Sequence, residues 1–172
     1  MAKLPIVLLP DPILRETALS LERVDDETRR LLDDMLETMY DAPGIGLAGP
    51  QVGVSRRLIV LDPSAKDQEP EPLAMINPEI LQFGDERQTG EEGCLSIPEI
   101  FAEVERPAWV HVRYIDRDGK LVERRFDGRP AVIVQHEVDH LNGVLFLDHL
   151  SKLRRDLLIR KFRKARRDEV SA

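Results

Sequence analysis

The spacing of apolar residues divides the chain into helical and extended stretches. Leu31, Leu32, Met35, Leu36 and Met39 recur at the interval of a helix with one buried face. Asp25 or Asp26 is placed to cap that helix, and Pro43-Gly44 to end it. Before it, Pro5, Pro10 and Pro12 keep residues 3–20 in extended segments and turns. Leu58 to Leu61 reads as a short buried strand, and Leu73 to Ile76 as another, ended by Asn77-Pro78. Phe83 to Gly93 is polar and glycine-punctuated. Val110 to Tyr114 alternates with a period of two, leaving His111 on the polar, surface side, and Asp118-Gly119 supplies a hairpin turn to a strand from Leu121 to Phe126. Pro130 to Leu141 is apolar nearly all round, which predicts a helix inside the core, with Gly143 as its stop. Its β-branched residues make it a poor helix by propensity, so tertiary packing must hold it. Ser151 is placed to cap a last helix through about Asp168, with Leu153, Leu157, Leu158, Phe162 and Ala165 on its apolar side. The order of elements is that of an α+β fold, and with no internal repeat or composition break it predicts one domain over residues 1–172.

Composition narrows this picture. A chain of 172 residues buries about 70% of its unfolded surface. No stretch approaches the roughly 20 apolar residues of a membrane span, and the N-terminus is too short and proline-broken for a signal peptide, so a cytoplasmic location is expected. The single cysteine, Cys94, excludes an intramolecular disulfide and leaves a core residue, a nucleophile or a metal ligand. The net charge of −7 is uneven: from Ser151 onward nine Lys/Arg stand against Asp156, Asp168 and Glu169, a net of +6, so residues 1–150 carry −13. A basic last helix on an acidic body suits a specific anionic partner better than general nucleic-acid binding, and DNA is not an expected partner.

The chemistry centres on His136-Glu137-Val138-Asp139-His140. Histidines four residues apart on a helix lie on one face, one turn apart, where they can share a metal ion, and Glu137 can reach a water beside that ion without being a ligand. A third protein ligand decides the class. Phe146 stands where a metzincin has its third histidine. The one downstream glutamate open to a thermolysin-like site, Glu169, lies in the terminal tail, and Asp148 and His149 are near in sequence. Cys94, in a glycine-bounded acidic loop, completes a Cys/His/His set with a position left open for water. A cysteine nucleophile is the competing reading, and it leaves Glu137 unexplained. The glycines of Gly44-Ile45-Gly46-Leu47-Ala48-Gly49-Pro50-Gln51 mark a loop that a ligand or another backbone approaches closely.

Three separated segments, Gly44 to Gln51, Glu92-Gly93-Cys94-Leu95-Ser96 and Gln135 to His140, resemble in order and spacing the three motifs of peptide deformylases. The resemblance implies sheets, antiparallel or mixed, around a central helix bearing the histidines, and a C-terminal helix. It implies removal of the formyl group from N-formylmethionine on new polypeptides, at a divalent ion that is usually Fe²⁺, with Zn²⁺, Ni²⁺ or Co²⁺ as substitutes. It implies Cys94, His136 and His140 as ligands, Glu137 as base, and the Gln51 amide and Leu95 N–H as donors to the formyl oxygen. The peptide would then lie along Ile45 and Gly46, with Val132 and Ile133 lining the methionine pocket. Three positions depart from the family pattern: Gly49 for a common alanine, expected to loosen its loop slightly, Phe101 for an arginine, and Arg129 for an apolar pocket residue. The basic helix would dock on ribosomal RNA. The rival readings are a metallopeptidase bearing the same HExxH motif and a non-enzymatic RNA- or ribosome-binding protein.

Overall fold

The structure, a computed structural model, describes residues 2–171, with side chains as far as residue 169. In chain order its elements are α1 (Asp26–Asp41), β1 (Gly46–Ala48), β2 (Leu58–Leu61), β3 (Leu73–Phe83), β4 (Arg87–Cys94), β5 (Ile97–Pro107), β6 (Trp109–Ile115), β7 (Leu121–Asp127), α2 (Arg129–Leu141) and α3 (Lys152–Ser171). Short 3-10 turns cover Pro12–Arg15, Gly49–Val52 and Phe146–His149. Five strands form one antiparallel sheet in the order β1-β2-β3-β6-β7, and β4 with β5 forms a separate hairpin.

Both faces of the larger sheet are covered, which is why Leu58–Leu61 is an unbroken apolar run rather than an alternating one. Ile59, Leu61, Met75, Val110, Val112 and Phe126 pack with Ala131, Ile133, Val134, Val138 and Leu141 of α2. The alternate residues Leu58, Val60 and Ile76 pack with Leu32, Met35 and Met39 of α1. A further cluster joins Ile100, Ala102 and Val104 of β5 to Leu14, Phe146, Leu147 and Phe162. Helix α2 therefore sits between sheet and hairpin, held by packing as its poor propensity requires.

Two stretches differ from the sequence reading. β3 does not end at Asn77-Pro78 but bulges there: Asn77 takes a positive φ of 51°, the register shifts, and pairing resumes at Glu79 against Arg113. The missing N–H of Pro78 falls in the bulge, where no ladder bond is lost. The polar stretch before Cys94 is the strand β4, mostly exposed along its length, so it shows no apolar alternation.

The caps agree with the sequence. The Asp25 carboxylate accepts hydrogen bonds from the Thr28 N–H and hydroxyl, both at 2.9 Å, and Ser151 Oγ accepts from Arg154 N–H at 3.2 Å. The buried face of α3, however, is Leu158, Ile159 and Phe162. Leu153 and Leu157 are 72% and 52% exposed, and Ala165 is exposed. The helix crosses the hairpin at a single buried anchor, Phe162, so apolar residues elsewhere around it face solvent. Replacing Asp25 by alanine removes the acceptor for two donors at the start of α1, and is expected to lower stability by about 1 kcal/mol. Urea denaturation checks this, and an unchanged midpoint would show that the cap does not hold the helix.

Candidate active site

Helix α2, the tip of the β4–β5 hairpin and the segment around β1 converge on one site. Cys94 is the last residue of β4, and Leu95-Ser96 form the two-residue turn into β5. The Cys94 sulfur and one ring nitrogen from each of His136 and His140 all lie within 4.8 Å of one another. Cys94 Sγ is 3.4 Å from His140 Nε2. The two imidazoles meet edge to face with centroids 5.0 Å apart, and the Phe146 ring stacks on His136 at 6.0 Å. The other sequence candidates for a ligand are engaged elsewhere: Asp148 pairs with Arg15, and His149 with Asp139.

A buried ion-pair network orients this group. The Arg106 Nε and Nη2 donate to the two oxygens of Glu92 at 2.6 and 2.9 Å, and Arg106 Nη1 donates to Asp139 Oδ2 at 3.0 Å. Glu92 Oε1 in turn lies 3.0 Å from His136 Nδ1, which leaves His136 Nε2 for the site, the arrangement found behind metal-bound imidazoles. Burial alone would raise the Glu92 carboxyl, but hydrogen bonds from His136 and Arg106 and the guanidinium charge outweigh it and hold it at about 2. Burial presses His136 down, yet Glu137, Cys94 and Glu92 together hold it well above its ordinary value. Burial and the neighbouring His136 hold His140 well below. Burial pushes Glu137 up to about 7, next to neutrality, where a group can both accept and return a proton.

The fit to a cation follows from the donors. A sulfur and two imidazoles match Zn²⁺-type and Fe²⁺-type sites, and negative groups surround His136. Glu137 Oε1 is buried with no hydrogen-bond partner among the described residues, as is His140 Nδ1. Glu137 Oε2 lies so close to Gly46 that a Cβ there would collide with it. A Cβ on Gly44 would come within 2.7 Å of Leu95 Cδ1, so the Leu95 side chain would have to shift.

Gln51 is buried in the 3-10 turn after β1. Its Oε1 accepts from Ala48 N–H at 3.0 Å, so its NH₂ faces Ser96 Oγ at 3.1 Å and Cys94 Sγ at 3.4 Å. Ile45 is 42% exposed beside the site, Val132 is half-buried, and Ile133 belongs to the sheet-side core. Gly49 is packed, not loose: a Cβ would come within 2.7 Å of the carbonyl oxygens of Val54 and Arg56. Phe101 is 56% exposed with its ring on Gly93, its partner across the hairpin, and Arg129 is exposed at the start of α2. Glu92 and Arg106 were not singled out in the sequence, although both carried a signal. Glu92 shares a strand face with Cys94 two residues on, and Arg106 continues the inward alternation of Ile100, Ala102 and Val104.

Comparison with known proteins bears on what this site is. The polypeptide deformylase family model matches residues 3–156. The chain belongs to the polypeptide deformylase family. A peptide deformylase of Mesorhizobium japonicum is 56% identical over 166 residues, covering 96% of this chain and 94% of that one. The crystal structure of a peptide deformylase from Ehrlichia chaffeensis superposes with a TM-score of 0.93 at 38% identity, covering 98% of this chain and 99% of that one. A Met-Ala-Ser-bound deformylase from Acinetobacter baumannii superposes at 0.82 with 40% identity, covering 87% of this chain and 99% of that one. Deformylases of this family remove the N-formyl group from nascent polypeptides in a metal-dependent reaction, and this chain is such a hydrolase, not a metallopeptidase. Its Cys94, His136 and His140 cluster is able to hold the metal.

Glu92 makes stability depend on pH in a stated direction. Its carboxyl is held at about 2 against an ordinary 4.5, so its contribution is complete above about 4.5 and is lost as pH falls toward 2. For chelator-treated protein that amounts to about 3 kcal/mol. Chemical denaturation between pH 5 and 2 is expected to show this loss, and Glu92→Gln to flatten it. An equally steep fall in the variant would assign the loss to other groups.

Proposed function

We propose that Cys94, His136 and His140 hold one Fe²⁺ ion and that Glu137 is the general base and acid for hydrolysis of N-formylmethionyl peptides. One observation supports this above the others: three convergent donors share their site with a buried carboxylate, on the helix of the two histidines, whose Oε1 has no hydrogen-bond partner among the described residues. A divalent ion held there supplies Lewis acidity, bringing the pKa of water toward neutrality and polarising a carbonyl oxygen. Glu137 takes the proton from the attacking water and later delivers it to the amine that leaves as formate departs. The Gln51 NH₂, fixed in orientation by Ala48, and the Leu95 N–H donate to the oxygen on which negative charge develops. Without the ion, burial pushes the Glu137 carboxyl up to about 7; a cation bound beside it favours the carboxylate, the form that takes the proton from water.

The peptide itself is read as a strand added to the free edge of β1 alongside Ile45 and Gly46. β1 is the terminal strand of its sheet, so among the described residues one side of its backbone faces no other strand. Val132 and Ile133, one turn before His136, line the pocket for the methionine side chain. The same ligand set accepts Zn²⁺, Ni²⁺ and Co²⁺, so metal analysis of anaerobically purified protein decides the ion.

We place the enzyme in the cytoplasm as one catalytic unit over residues 1–172, acting on chains as they leave the ribosome. No described helix is long and apolar enough to cross a membrane. The α3 residues Arg160, Arg163 and Arg167, exposed along one side of the helix, are suited to ribosomal RNA phosphates. Because Phe162 is a core residue, this contact is tested by reversing the three charges rather than by deleting the helix. Co-sedimentation with ribosomes is expected to fall in the reversed variant, and unchanged binding would contradict the contact.

Formate release from formyl-Met-Ala-Ser, with and without chelator, tests the catalytic reading. Chelation is expected to abolish it. Glu137→Gln is expected to retain metal and lose about 10²- to 10⁴-fold in rate. A Glu137 variant with near-normal formate release would contradict the role of this residue.

A further inference from the structure

Beyond the metal site lies a third buried carboxylate, on the far side of the Ile45–Gly46 segment. Asp62 follows β2 directly and is almost wholly buried, yet it is not part of the catalytic group. Its Oδ2 accepts a hydrogen bond from the Tyr40 hydroxyl at 2.6 Å. Its Oδ1 accepts from the Ser64 N–H at 2.9 Å, the Ser64 hydroxyl at 2.5 Å and the Glu71 N–H at 3.2 Å. One carboxylate thus ties the last turn of α1 to both ends of the loop between β2 and β3. The Asp62 backbone N–H donates to the Ile45 carbonyl at 3.0 Å. That bond extends the β1–β2 ladder, whose register pairs Gly46 with Leu61, by one residue. Gly46 backs directly onto Glu137. Burial works against the Asp62 charge, but the hydrogen bonds from Ser64, Tyr40 and Glu71 outweigh it and keep its carboxyl below the ordinary range.

We propose that Asp62, braced by Tyr40, is a positioning residue that fixes the backbone of Ile45 and Gly46 for pairing with the peptide substrate. The inference rests on the reading that substrate adds to the edge of β1. Asp62 touches neither substrate nor reacting atoms; it acts through the Ile45 carbonyl. A loosened clamp leaves the metal ligands and Glu137 in place but lets the Ile45 end of β1 wander, so the peptide pays more to order the edge as it binds. Its signature is loss of binding to extended peptides with little change in the chemical step.

The test compares formyl-methionine amide with formyl-Met-Ala-Ser on the metal-loaded parent and on Tyr40→Phe. Tyr40 is part-exposed, so the variant is expected to fold. In the parent, the longer substrate is expected to show the lower KM, because it alone presents a run of backbone to β1. In Tyr40→Phe that KM advantage is expected to shrink about 3- to 10-fold, the range of one net intramolecular hydrogen bond, with kcat within about twofold and metal content unchanged. Asp62→Asn, which keeps an oxygen for the Ser64 and Glu71 amides and offers Tyr40 a donor, is expected to retain most of the advantage. A parent with no advantage for the longer peptide overturns the edge-pairing reading and the inference with it. A parent advantage that Tyr40→Phe leaves intact, or an equal loss of kcat on both substrates, overturns the inference alone.

Discussion

Burying most of α2 places two imidazoles and a carboxylate in the interior, and most of the site's architecture answers that constraint. Unpaired polar groups in such a place cost several kcal/mol each. The protein meets the cost of His136 with Glu92, of Glu92 with Arg106, and of Arg106 with Asp139, the residue beside His140 on the same helix. The chain of contacts closes on itself. It locks the rotation of the helix and points the second nitrogen of His136 at Cys94. What it leaves unmet, Glu137 Oε1, sits where a reacting water is needed. Breaking such a buried pair by removing one partner is strongly destabilising, so the network both supports the fold and orients the site.

Around this helix the remaining elements have distinct tasks. The larger sheet supplies a rigid apolar wall, with α1 clamping its far side at the β1–β2–β3 end. The hairpin presents Cys94 at its tip, where a two-residue turn leaves little freedom for the sulfur. Glycines at 44 and 46 allow the β1 segment to lie against Leu95 and Glu137 without displacing either side chain. Gln51 joins these parts, receiving a hydrogen bond from the backbone of β1 and donating toward Ser96 and Cys94.

Much of this could be read from residue order. The two helices α1 and α2, the buried run at Leu58–Leu61 and the Cys94/His136/His140 grouping all follow from periodicity and ligand chemistry. The misses share a physical cause: they lie where burial and polarity part company. β4 is a strand of polar residues, exposed or part-buried around the one buried position, Glu92, so it carries no apolar alternation to detect. β3 runs through Asn77-Pro78 because a bulge accommodates the proline, and dipeptide rules alone do not separate a bulge from an end. Leu153 and Leu157 have helical spacing but face solvent, since α3 is pinned at Phe162 rather than along its length. Arg106 is charged and inward-facing, a position that only its buried partners make tolerable. The clamp at Asp62 is a tertiary event between residues 22 positions apart, with no local pattern to announce it.

The proposed site holds one ion through a single sulfur and two imidazole nitrogens, from Cys94, His136 and His140. X-ray absorption at the metal edge of the loaded protein measures this most directly. One sulfur scatterer is expected at about 2.3 Å and nitrogen or oxygen neighbours at about 2.0–2.1 Å, with the sulfur shell absent in Cys94→Ala. A loaded, active enzyme whose metal shows no sulfur neighbour would contradict it.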